Sequence, residues 1–438
     1  MIPIYRLRDR AQFFERLERR RMLTSGEVQK AVRSIVAQVR EEGDAALLRL
    51  TEELDHVRMT ARQLRVKPTA LRAAAAAADP ALVRELEKAI FNINAFHKRQ
   101  LQQSWEFTRR GAVLGQRVLP LDSVGVYVPG GKAAYPSTVL MNVVPAKVAG
   151  VPRIAVVTPP DTFHKHPIVA AAIQELNIRE VYLVGGAQAI AALAYGTETI
   201  PQVNKIVGPG NAYVAAAKKE VYGDADIDMI AGPSEVVVLA TAESNPRFIA
   251  ADMLSQAEHD EMASAICFTD SVAHAILVKR ELELQLAQLP RKEVAGKALR
   301  DFGSIVVTDS YLQAVGWIND LAPEHLEIFS SVPPSIIDLI RNAGTIFYGD
   351  YCPEAVGDYF AGSNHVLPTG GTARFFSPLG VYDFQRWTSI VRYSQEELAR
   401  SSKSIVSLAK AEGLEAHARS VTIRQTARGR MKSTKEAQ

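Results

Sequence analysis

The chain has 438 residues, of which 47% are hydrophobic and 23% are charged, and its formal net charge is +3. These values are typical of a globular protein of about two or three domains, and the small, evenly spread charge argues against a nucleic-acid partner. The chain has only two cysteines, Cys267 and Cys352, which excludes a disulfide framework. It shows neither a signal peptide nor a run of roughly 20 apolar residues, which predicts a cytoplasmic protein without a membrane partner.

The first part of the chain, to about residue 110, has a helical pattern, with helices predicted over 26–50 and 68–103. From residue 122, short β-branched runs alternate with alanine-rich helical runs. Strands are predicted at 123–128, 153–158, 180–184 and 205–207, and helices at 138–149, 167–176, 187–195 and 212–221. Strands separated by helices of this length predict right-handed crossovers and a parallel sheet.

A second α/β unit of similar plan is predicted after Gly232. Its strands lie at 235–240, 263–269, 303–308 and 344–348, with helices at 246–257 and 272–289. The glycine- and proline-rich stretch 351–379 is long for a loop, which favours a functional role. Residues 395–418 predict a helical pair or one long helix, and the basic residues after it predict a frayed, solvated tail.

Three glycine-rich turns follow three strands of the first alternating region. They are Pro129-Gly130-Gly131-Lys132, Gly185-Gly186 and Gly208-Pro209-Gly210-Asn211. Glycines at strand ends let a ligand approach the backbone, and the helix that follows favours a phosphate group. No turn matches a standard dinucleotide or P-loop fingerprint, so a nucleotide pocket and plain turn chemistry both stay open.

The adjacent residues Glu324 and His325 combine a carboxylate with an imidazole. An imidazole moves protons near neutral pH, and a carboxylate can activate water. Neighbouring residues reach one site only near a turn or helix end, and Pro323 favours such a point. Taken alone, the pair is explained as well by a solvated helix start.

Gln256 and His259 are three residues apart in 251–260, a helix by pattern, and therefore share one face. With Asp358 and another histidine they would give four metal ligands, but no standard metal motif is matched, and a plain helix-end histidine is the alternative.

The loop 351–369 gathers polar side chains that suit a substrate or metal, or a solvated surface: Glu354, Asp358, Asn364 and His365. Cys267 and Cys352 are not expected to be nucleophiles, because the first lies in an apolar strand and the second has no evident cation nearby.

Eight ordered segments together resemble the histidinol dehydrogenase family over essentially the whole chain. They are Val124–Lys132, Val184–Ala189, Ile206–Asn211, Ile230–Glu235, Leu254–His259, Ala322–Leu326, Gly357–Thr369 and Glu412–His417. The resemblance is diffuse over the first hundred residues. Asp260 stands where the family is expected to have glycine, but this is not a functional position.

The resemblance implies an α/β fold of two incomplete Rossmann-like domains with parallel sheets, an N-terminal helical arm and a C-terminal helical tail. The implied segments are the arm at 1–22, a discontinuous first domain at 23–126 and 234–379, an NAD-binding domain at 127–233, and a dimerisation tail at 380–438. A homodimer with shared active sites is expected.

The resemblance also implies the site residues. One Zn²⁺ per subunit would be bound by Gln256, His259, Asp358 and His417, the last from the partner subunit, and these ligands would also contact the substrate. NAD would contact Tyr127, Gln188 and Asn211. The remaining substrate and catalytic positions would be Ser234, Glu324, His325, His365 and Glu412.

The implied reaction is the oxidation of L-histidinol to L-histidine through L-histidinal, the last step of histidine biosynthesis. His325 would remove protons in both oxidations, and Glu324 would help to activate the water that hydrates the bound aldehyde. Two alternatives remain: a zinc- and NAD-dependent dehydrogenase of another polar alcohol, such as a sulfopropanediol, and a binding protein without catalytic activity. Intact Glu324 and His325 argue against the latter.

Overall fold

The structure is a computed structural model that describes residues 2–22, 26–130 and 134–435, and the side chains of these ranges except at positions 19, 21, 22 and 426–435. The chain packs as two compact units. The larger consists of residues 1–101 and 120–384, and the smaller of residues 102–119 and 385–438.

The strands, in chain order, are β1 Ile4–Arg6, β2 Trp105–Arg109, β3 Ala112–Pro120, β4 Ser123–Tyr127, β5 Arg153–Thr158, β6 Glu180–Leu183, β7 Lys205–Val207, β8 Asp226–Ile227, β9 Glu235–Leu239, β10 Ser264–Thr269, β11 Ser304–Val307, β12 His325–Ile328, β13 Thr345–Tyr348 and β14 Gln385–Tyr393.

The α-helices are α1 Arg10–Met22, α2 Gly26–Glu42, α3 Asp44–Asp55, α4 Ala61–Leu64, α5 Pro68–Ala76, α6 Pro80–His97, α7 Pro136–Ala149, α8 Pro160–Lys165, α9 Pro167–Glu175, α10 Gly186–Tyr195, α11 Ala212–Val221, α12 Pro246–Ala257, α13 Val272–Leu286, α14 Lys292–Asp301, α15 Tyr311–Leu321, α16 Glu354–Tyr359, α17 Gln395–Ala411 and α18 Glu415–Lys435.

The larger unit contains a five-stranded sheet in the order β6-β5-β4-β7-β8, with parallel pairings. Alternate residues of its central strand enter two cores: Val124 and Val126 enter one, and Tyr127 enters the other. Because successive side chains of a strand point to opposite faces, both faces of this sheet are covered. The helices of residues 26–97 contribute to these cores, through Val36 and Leu47 on one side and Leu86 and Ile93 on the other.

A six-stranded parallel sheet in the order β1-β11-β10-β9-β12-β13 completes the larger unit. Val236 and Val238 of β9 pack in one core, and Val237 and Leu239 pack in another, so this sheet is also buried on both faces. The fold is therefore α/β with parallel sheets, as predicted. The assignment of residue ranges to a first and a second domain stays a prediction.

The N-terminal segment belongs to the six-stranded sheet. Ile4 of β1 pairs with Ile305 of β11 at the sheet edge, and Phe13 of α1 is fully buried against Trp317. The sequence did not predict β1, because three residues are too few to produce a periodic signal.

The two long N-terminal helices were predicted without breaks, and both predictions were wrong in that respect. The first is interrupted at Gly43, which has φ +55°, and the Glu198 carboxylate accepts a hydrogen bond from the Asp44 amide at 2.8 Å. The second ends at Ala76 and restarts at Pro80, where Asp79 caps the new helix by accepting from Ala81 at 2.8 Å. Residues 105–109 form strand β2, not helix.

The smaller unit is a three-stranded sheet in the order β14-β3-β2, followed by two helices. β2 and β3 pair antiparallel and are joined by Arg110 and Gly111, both at positive φ. The C-terminal segment is a helical pair, α17 and α18, separated at Gly413, which has φ +73°. The backbone of α18 continues to Lys435, and the frayed, solvated character of the basic tail stays a prediction. No helix within the described ranges is both long enough and apolar enough to cross a bilayer.

Candidate active site

The backbone changes direction immediately before the Glu324-His325 pair. α15 ends at Leu321, Ala322 adopts a left-handed conformation with φ +49°, and β12 begins at His325. Pro323 cannot donate a helical hydrogen bond, which accounts for the helix stop. The predicted irregular point is confirmed, but His325 begins a strand and not a helix.

Glu324 is a buried carboxyl group, 6% exposed. Its Oε2 atom accepts a hydrogen bond from the backbone amide of Glu235 at 2.8 Å. Burial raises the pKa of Glu324 to about 7, although the neighbouring His325 opposes this change. A carboxyl group with a pKa in this range can exchange protons at neutral pH.

His325 is also buried, and acceptor oxygens surround its Nδ1 atom. That atom lies 3.0 Å from Gln256 Oε1, 3.2 Å from the carbonyl oxygen of Glu235 and 3.6 Å from Glu354 Oε2. A carbonyl oxygen can only accept, so the contact with Glu235 is a hydrogen bond when Nδ1 carries the hydrogen. Nε2 has no hydrogen-bond partner within the described part of the chain and lies 3.6 Å from Asp358 Oδ1.

The charge state of His325 is set by opposing effects. Burial lowers its pKa, but the carboxylates of Glu324, Asp358 and Glu354 outweigh burial and raise the pKa to about 10. The Gln256 amide has a partner in either orientation: Oε1 accepts from a protonated Nδ1 at 3.0 Å, and the reversed amide donates to His325 Nδ1 and Glu354 Oε2, each at 3.0 Å, and to Glu235 O at 3.3 Å. Its buried position at the end of α12 therefore supports the imidazole whether or not that ring is charged.

His259 lies just beyond α12, which ends at Ala257. The prediction that the helix extends over 251–260 was wrong at this end. A turn keeps His259 close to Gln256 nevertheless, since its amide donates to the Gln256 carbonyl oxygen at 3.2 Å. Burial lowers the pKa of His259, and the Asp358 carboxylate opposes that change.

Asp358 is presented by α16, a short helix within the predicted functional loop. Burial raises its pKa, but His325, His365 and His259 outweigh burial and lower it. His365 Nδ1 lies 3.2 Å from the Asp358 carbonyl oxygen, and burial lowers the pKa of His365. One carboxylate is thus surrounded by three histidines, which is the electrostatic setting of a carboxylate that stays ionised.

The donors around Asp358 suit a zinc ion in their chemistry. Imidazole nitrogens and a carboxylate are usual ligands of Zn²⁺, and the amide oxygen of glutamine is a rare one. In residues 2–22, 26–130 and 134–435, however, no three side chains of His, Cys, Asp or Glu already stand as a metal-binding group. A zinc site here therefore depends on the Gln256 amide or on a ligand from outside this cluster.

The other predicted substrate contacts are distributed over both units. Ser234 directly precedes β9, and its carbonyl oxygen accepts from the Ser264 amide at 3.0 Å. Glu412 caps the C-terminal end of α17, and His417 lies in α18 and is exposed. Because Glu412 and His417 belong to the smaller unit, their participation in the site stays a prediction.

The predicted NAD contacts Tyr127 and Gln188 meet at the turn after β6. The Tyr127 hydroxyl accepts from the Gly186 amide at 3.1 Å, and burial raises the pKa of Tyr127 to about 12. Gln188 is 1% exposed, and among the residues that the structure describes its Oε1 atom has no hydrogen-bond partner. A buried acceptor without a partner is the feature expected where a ligand donates a hydrogen bond.

Asn211 caps α11 at the turn after β7. Its side chain accepts from the amides of Tyr213 at 3.0 Å and Val214 at 3.2 Å. Gly208 in this turn has φ +114°, and a Cβ there would lie 2.2 Å from the Tyr127 carbonyl oxygen. Backbone that only glycine permits, next to a helix start, is suited to a dinucleotide. Gly131 and Lys132 of the first predicted turn lie outside the described residues.

Neither cysteine has the setting of a nucleophile. Cys267 is fully buried in β10, and burial raises its pKa to about 12. Burial also raises the pKa of Cys352. A thiol with a raised pKa is mostly protonated at neutral pH, which agrees with the prediction that both are inert.

Of the carboxyl groups behind His325, the sequence singled out Glu354 only as a polar residue of the loop, and it did not single out Glu327 or Asp252. Glu354 Oε1 accepts from the Ser255 hydroxyl at 2.6 Å, and burial raises the pKa of Glu354 to about 7. Glu327 Oε1 accepts from the Glu354 amide at 2.7 Å, and Asp252 lies beside it. The available signal was the spacing of His325 and Glu327, since residues two apart on a strand share a face.

A family model for histidinol dehydrogenase matches residues 18–425. A histidinol dehydrogenase of Halalkalibacterium halodurans is 54% identical over 398 residues, covering 90% of this chain and 93% of the relative. One of Bacillus subtilis is 52% identical over 415 residues, covering 94% and 97%.

The chain belongs to the histidinol dehydrogenase family. The crystal structure of histidinol dehydrogenase from Elizabethkingia anophelis supports the fold, with a TM-score of 0.89 at 33% identity over 98% of this chain and 99% of that one. The chain is therefore an oxidoreductase, and its family is one of histidine biosynthesis. The resemblance inferred from the eight sequence segments is confirmed.

Proposed function

We propose that this protein oxidises L-histidinol to L-histidine through L-histidinal, with one Zn²⁺ per subunit and two NAD⁺ per reaction. The observation that carries the proposal is the buried Glu324-His325 pair: Nδ1 of His325 contacts Glu235 and Gln256, whereas Nε2 has no hydrogen-bond partner among the described residues and lies 3.6 Å from Asp358 Oδ1. Once the ring is neutral, such a histidine has one nitrogen fixed and one available to a substrate hydroxyl.

In the first oxidation, His325 accepts the hydroxyl proton at Nε2 as the hydride leaves the carbinol carbon. Its Nδ1 hydrogen remains directed at the Glu235 carbonyl oxygen, 3.2 Å away, which fixes the ring orientation. The surrounding carboxylates stabilise the imidazolium that forms. After Nε2 has released this proton to water, the same atom accepts a proton from the aldehyde hydrate in the second oxidation.

Glu324 activates the water that converts the aldehyde to its hydrate. Its buried carboxyl group, with a pKa near 7, can take a proton from water and release it within one cycle at neutral pH. The Glu235 amide holds one of its oxygens at 2.8 Å and leaves the other for water. Retention of the aldehyde between the two steps prevents release of a reactive intermediate.

The proposed cofactors would supply two functions. Zn²⁺ bound by Gln256, His259, Asp358 and His417 of the partner subunit would fix the substrate's imidazole and amine, and would offset the Asp358 charge that raises the pKa of His325. NAD⁺ held by Tyr127, Gln188 and Asn211 would accept the hydride. The shared metal site requires a homodimer, in which the smaller unit supplies His417 and Glu412 to its partner.

The test is a spectrophotometric assay of NADH with L-histidinol, combined with metal analysis before and after chelation. We expect two NADH for each histidinol consumed, loss of activity with loss of zinc, and recovery on addition of Zn²⁺. Absence of NADH formation with zinc-loaded protein would refute the proposal. A higher kcat/KM for a sulfonated or other polar alcohol would favour the alternative substrate class.

A further inference from the structure

The N-terminal arm supplies a buried charge to the neighbourhood of the active site. Arg20 lies in α1 and is only 4% exposed. The Cζ atom of its guanidinium lies over the Phe302 ring, 5.9 Å from the ring centre. A buried guanidinium is costly unless its donors are used, so its partners indicate why it is there.

The partners of Arg20 belong to the segment before β9 and to the chain just before β10. Its terminal nitrogens donate to the carbonyl oxygens of Pro233 at 2.7 Å and Ser234 at 2.9 Å, and to the Glu235 carboxylate at 2.5 Å. Its Nε donates to the Met262 carbonyl oxygen at 2.6 Å. A planar group with five donors can satisfy these acceptors together, which a lysine ammonium cannot do with the same geometry.

The segment that Arg20 holds carries two elements of the proposed site. Ser234 is the proposed substrate contact. The Glu235 amide donates to Glu324 at 2.8 Å, and the Glu235 carbonyl oxygen lies 3.2 Å from His325 Nδ1. Displacement of residues 233–235 would therefore move the partners of both Glu324 and His325.

We propose that Arg20 is a positioning residue of the active site, which acts by fixing the backbone of Pro233, Ser234 and Glu235. The inference rests on the proposed function for its link to histidinol. It assigns to the arm a role in substrate binding in addition to its contribution to the sheet and core.

A second arginine of the same helix provides a matched control. Arg16, four residues earlier, donates to the carbonyl oxygens of Asp301, at 2.8 Å, and Arg300, and to the Tyr5 hydroxyl at 3.3 Å. It therefore attaches the arm to the end of α14 and has no contact with residues 233–235 among its described bonds. Comparison of Arg16→Gln with Arg20→Gln separates attachment of the arm from positioning of the site.

The first measurement is steady-state kinetics on the zinc-loaded, full-length enzyme. Arg20→Gln should raise the KM for L-histidinol by about tenfold or more, the effect of losing charge-assisted hydrogen bonds, with the KM for NAD⁺ within about twofold of wild type. The KM of Arg20→Lys for L-histidinol should lie between the values of the wild type and Arg20→Gln. Arg16→Gln should change neither the KM for L-histidinol nor the KM for NAD⁺. Equal effects of Arg20→Gln and Arg16→Gln, or a parallel rise in both KM values, would overturn the proposal.

A second measurement does not depend on turnover. Hydrogen exchange at the Glu235 amide should accelerate in Arg20→Gln and remain at the wild-type rate in Arg16→Gln. If Arg20→Gln does not fold, Arg20→Lys decides, and an unchanged histidinol KM together with unchanged exchange would refute the positioning role. Wild-type protein that forms no NADH from histidinol would instead refute the proposed function, and the exchange result would still decide whether Arg20 fixes this segment.

Discussion

Glu324 and His325 are adjacent in sequence yet share one buried site, because Ala322 and Pro323 turn the chain between helix and strand. The residue types and the turn were readable from the sequence. Their surroundings were not, since Glu235, Gln256 and Glu354 come from three other elements. Local pattern identifies such a pair, but only tertiary packing determines its pKa values.

The roles of the pair can be separated by substitution. His325→Asn removes the proposed base at Nε2 and should lower kcat about 10²- to 10⁴-fold, the usual range for general base catalysis, with zinc content unchanged. Enzyme kinetics and metal analysis of the same preparation test this expectation. His164→Asn, at an exposed histidine, is the control, and retained turnover in His325→Asn would remove His325 from proton transfer.

Glu324→Gln should stop the second oxidation and leave the first, because only the second oxidation needs an activated water. We expect this variant to release about one NADH per histidinol in a single turnover, where the wild type releases two. Equal loss of both oxidations would contradict the division of labour between Glu324 and His325.

We expect Asp252, which lies beside Glu327, to make a pH-dependent contribution to the free energy of unfolding. Burial raises the pKa of Asp252 from 3.8 to about 6. Because the folded protein then binds the proton more tightly than the unfolded chain, the stability due to this group is greatest at low pH and falls as pH rises from about 4 to about 6.

Asp252→Asn keeps the shape of the side chain and removes its titration. Relative to wild type, the free energy of unfolding of this variant should rise between pH 4.5 and pH 7.5 by on the order of 1 kcal/mol, after allowance for partial exposure. Denaturant unfolding at the two pH values measures it, with Asp338→Asn, at an exposed carboxylate, as the baseline. A difference that does not change with pH would refute the assignment.

At the scale of the elements, the alternating region was predicted well. The helix 212–221 and the strands 153–158 and 205–207 match the structure at both ends. Apolar strands buried on both faces and alanine-rich helices give strong local signals. β12 was missed because His325 and Glu327 interrupt its apolar run, and those are the residues that the site uses.

The turn between β7 and α11 gives a test of the proposed NAD site. Gly208→Ala would combine an unfavourable φ of +114° with a Cβ placed 2.2 Å from the Tyr127 carbonyl oxygen. The backbone must shift, which should raise the KM for NAD⁺ and lower the free energy of unfolding by more than an unfavourable φ alone.

Gly223→Ala isolates the effect of φ. Gly223 has φ +109°, but a Cβ there meets nothing within 4 Å. We expect a cost of about 1 kcal/mol for Gly223→Ala and about 1–3 kcal/mol more for Gly208→Ala, measured by denaturant unfolding. Equal costs, with an unchanged KM for NAD⁺, would show that the close approach has no consequence.

At the scale of the whole molecule, the proposed sharing of sites predicts complementation. Asp358→Ala and His417→Ala are each expected to be inactive, but a mixed dimer would contain one intact site formed by the native Asp358 of one subunit and the native His417 of the other. After subunit exchange with random pairing, activity should reach about a quarter of the wild-type value.

The control mixture pairs Asp358→Ala with His325→Asn. Both residues lie in the larger unit, so each site of their mixed dimer lacks one of them and no activity should return. Activity in the control, or none in the test mixture, would argue against exchange of the C-terminal segment.

The sequence predicted two parallel α/β sheets but not which edge of each carries the chemistry. Tyr127 and Gly208 stand at the carboxyl ends of strands in the five-stranded sheet, where ligands of such sheets usually bind. Glu235 and His325 stand at the amino ends of β9 and β12 in the other sheet. Since parallel strands leave either edge available, only the tertiary structure identifies the edge that is used.

The pairing of β1 with β11 has a consequence for biosynthesis on the ribosome. Strand β1, which contains Ile4, has no partner strand until Ile305 of β11 has been translated. At roughly 5–20 residues per second, translation from one residue to the other takes tens of seconds. The strands of the five-stranded sheet all lie within 123–227 and are complete well before that point. The segment that contains β1 is translated before its partner strand and is therefore among the last to find its native neighbours, and the arm that carries Arg20 remains unpaired until residues 233–235 and β11 have been translated.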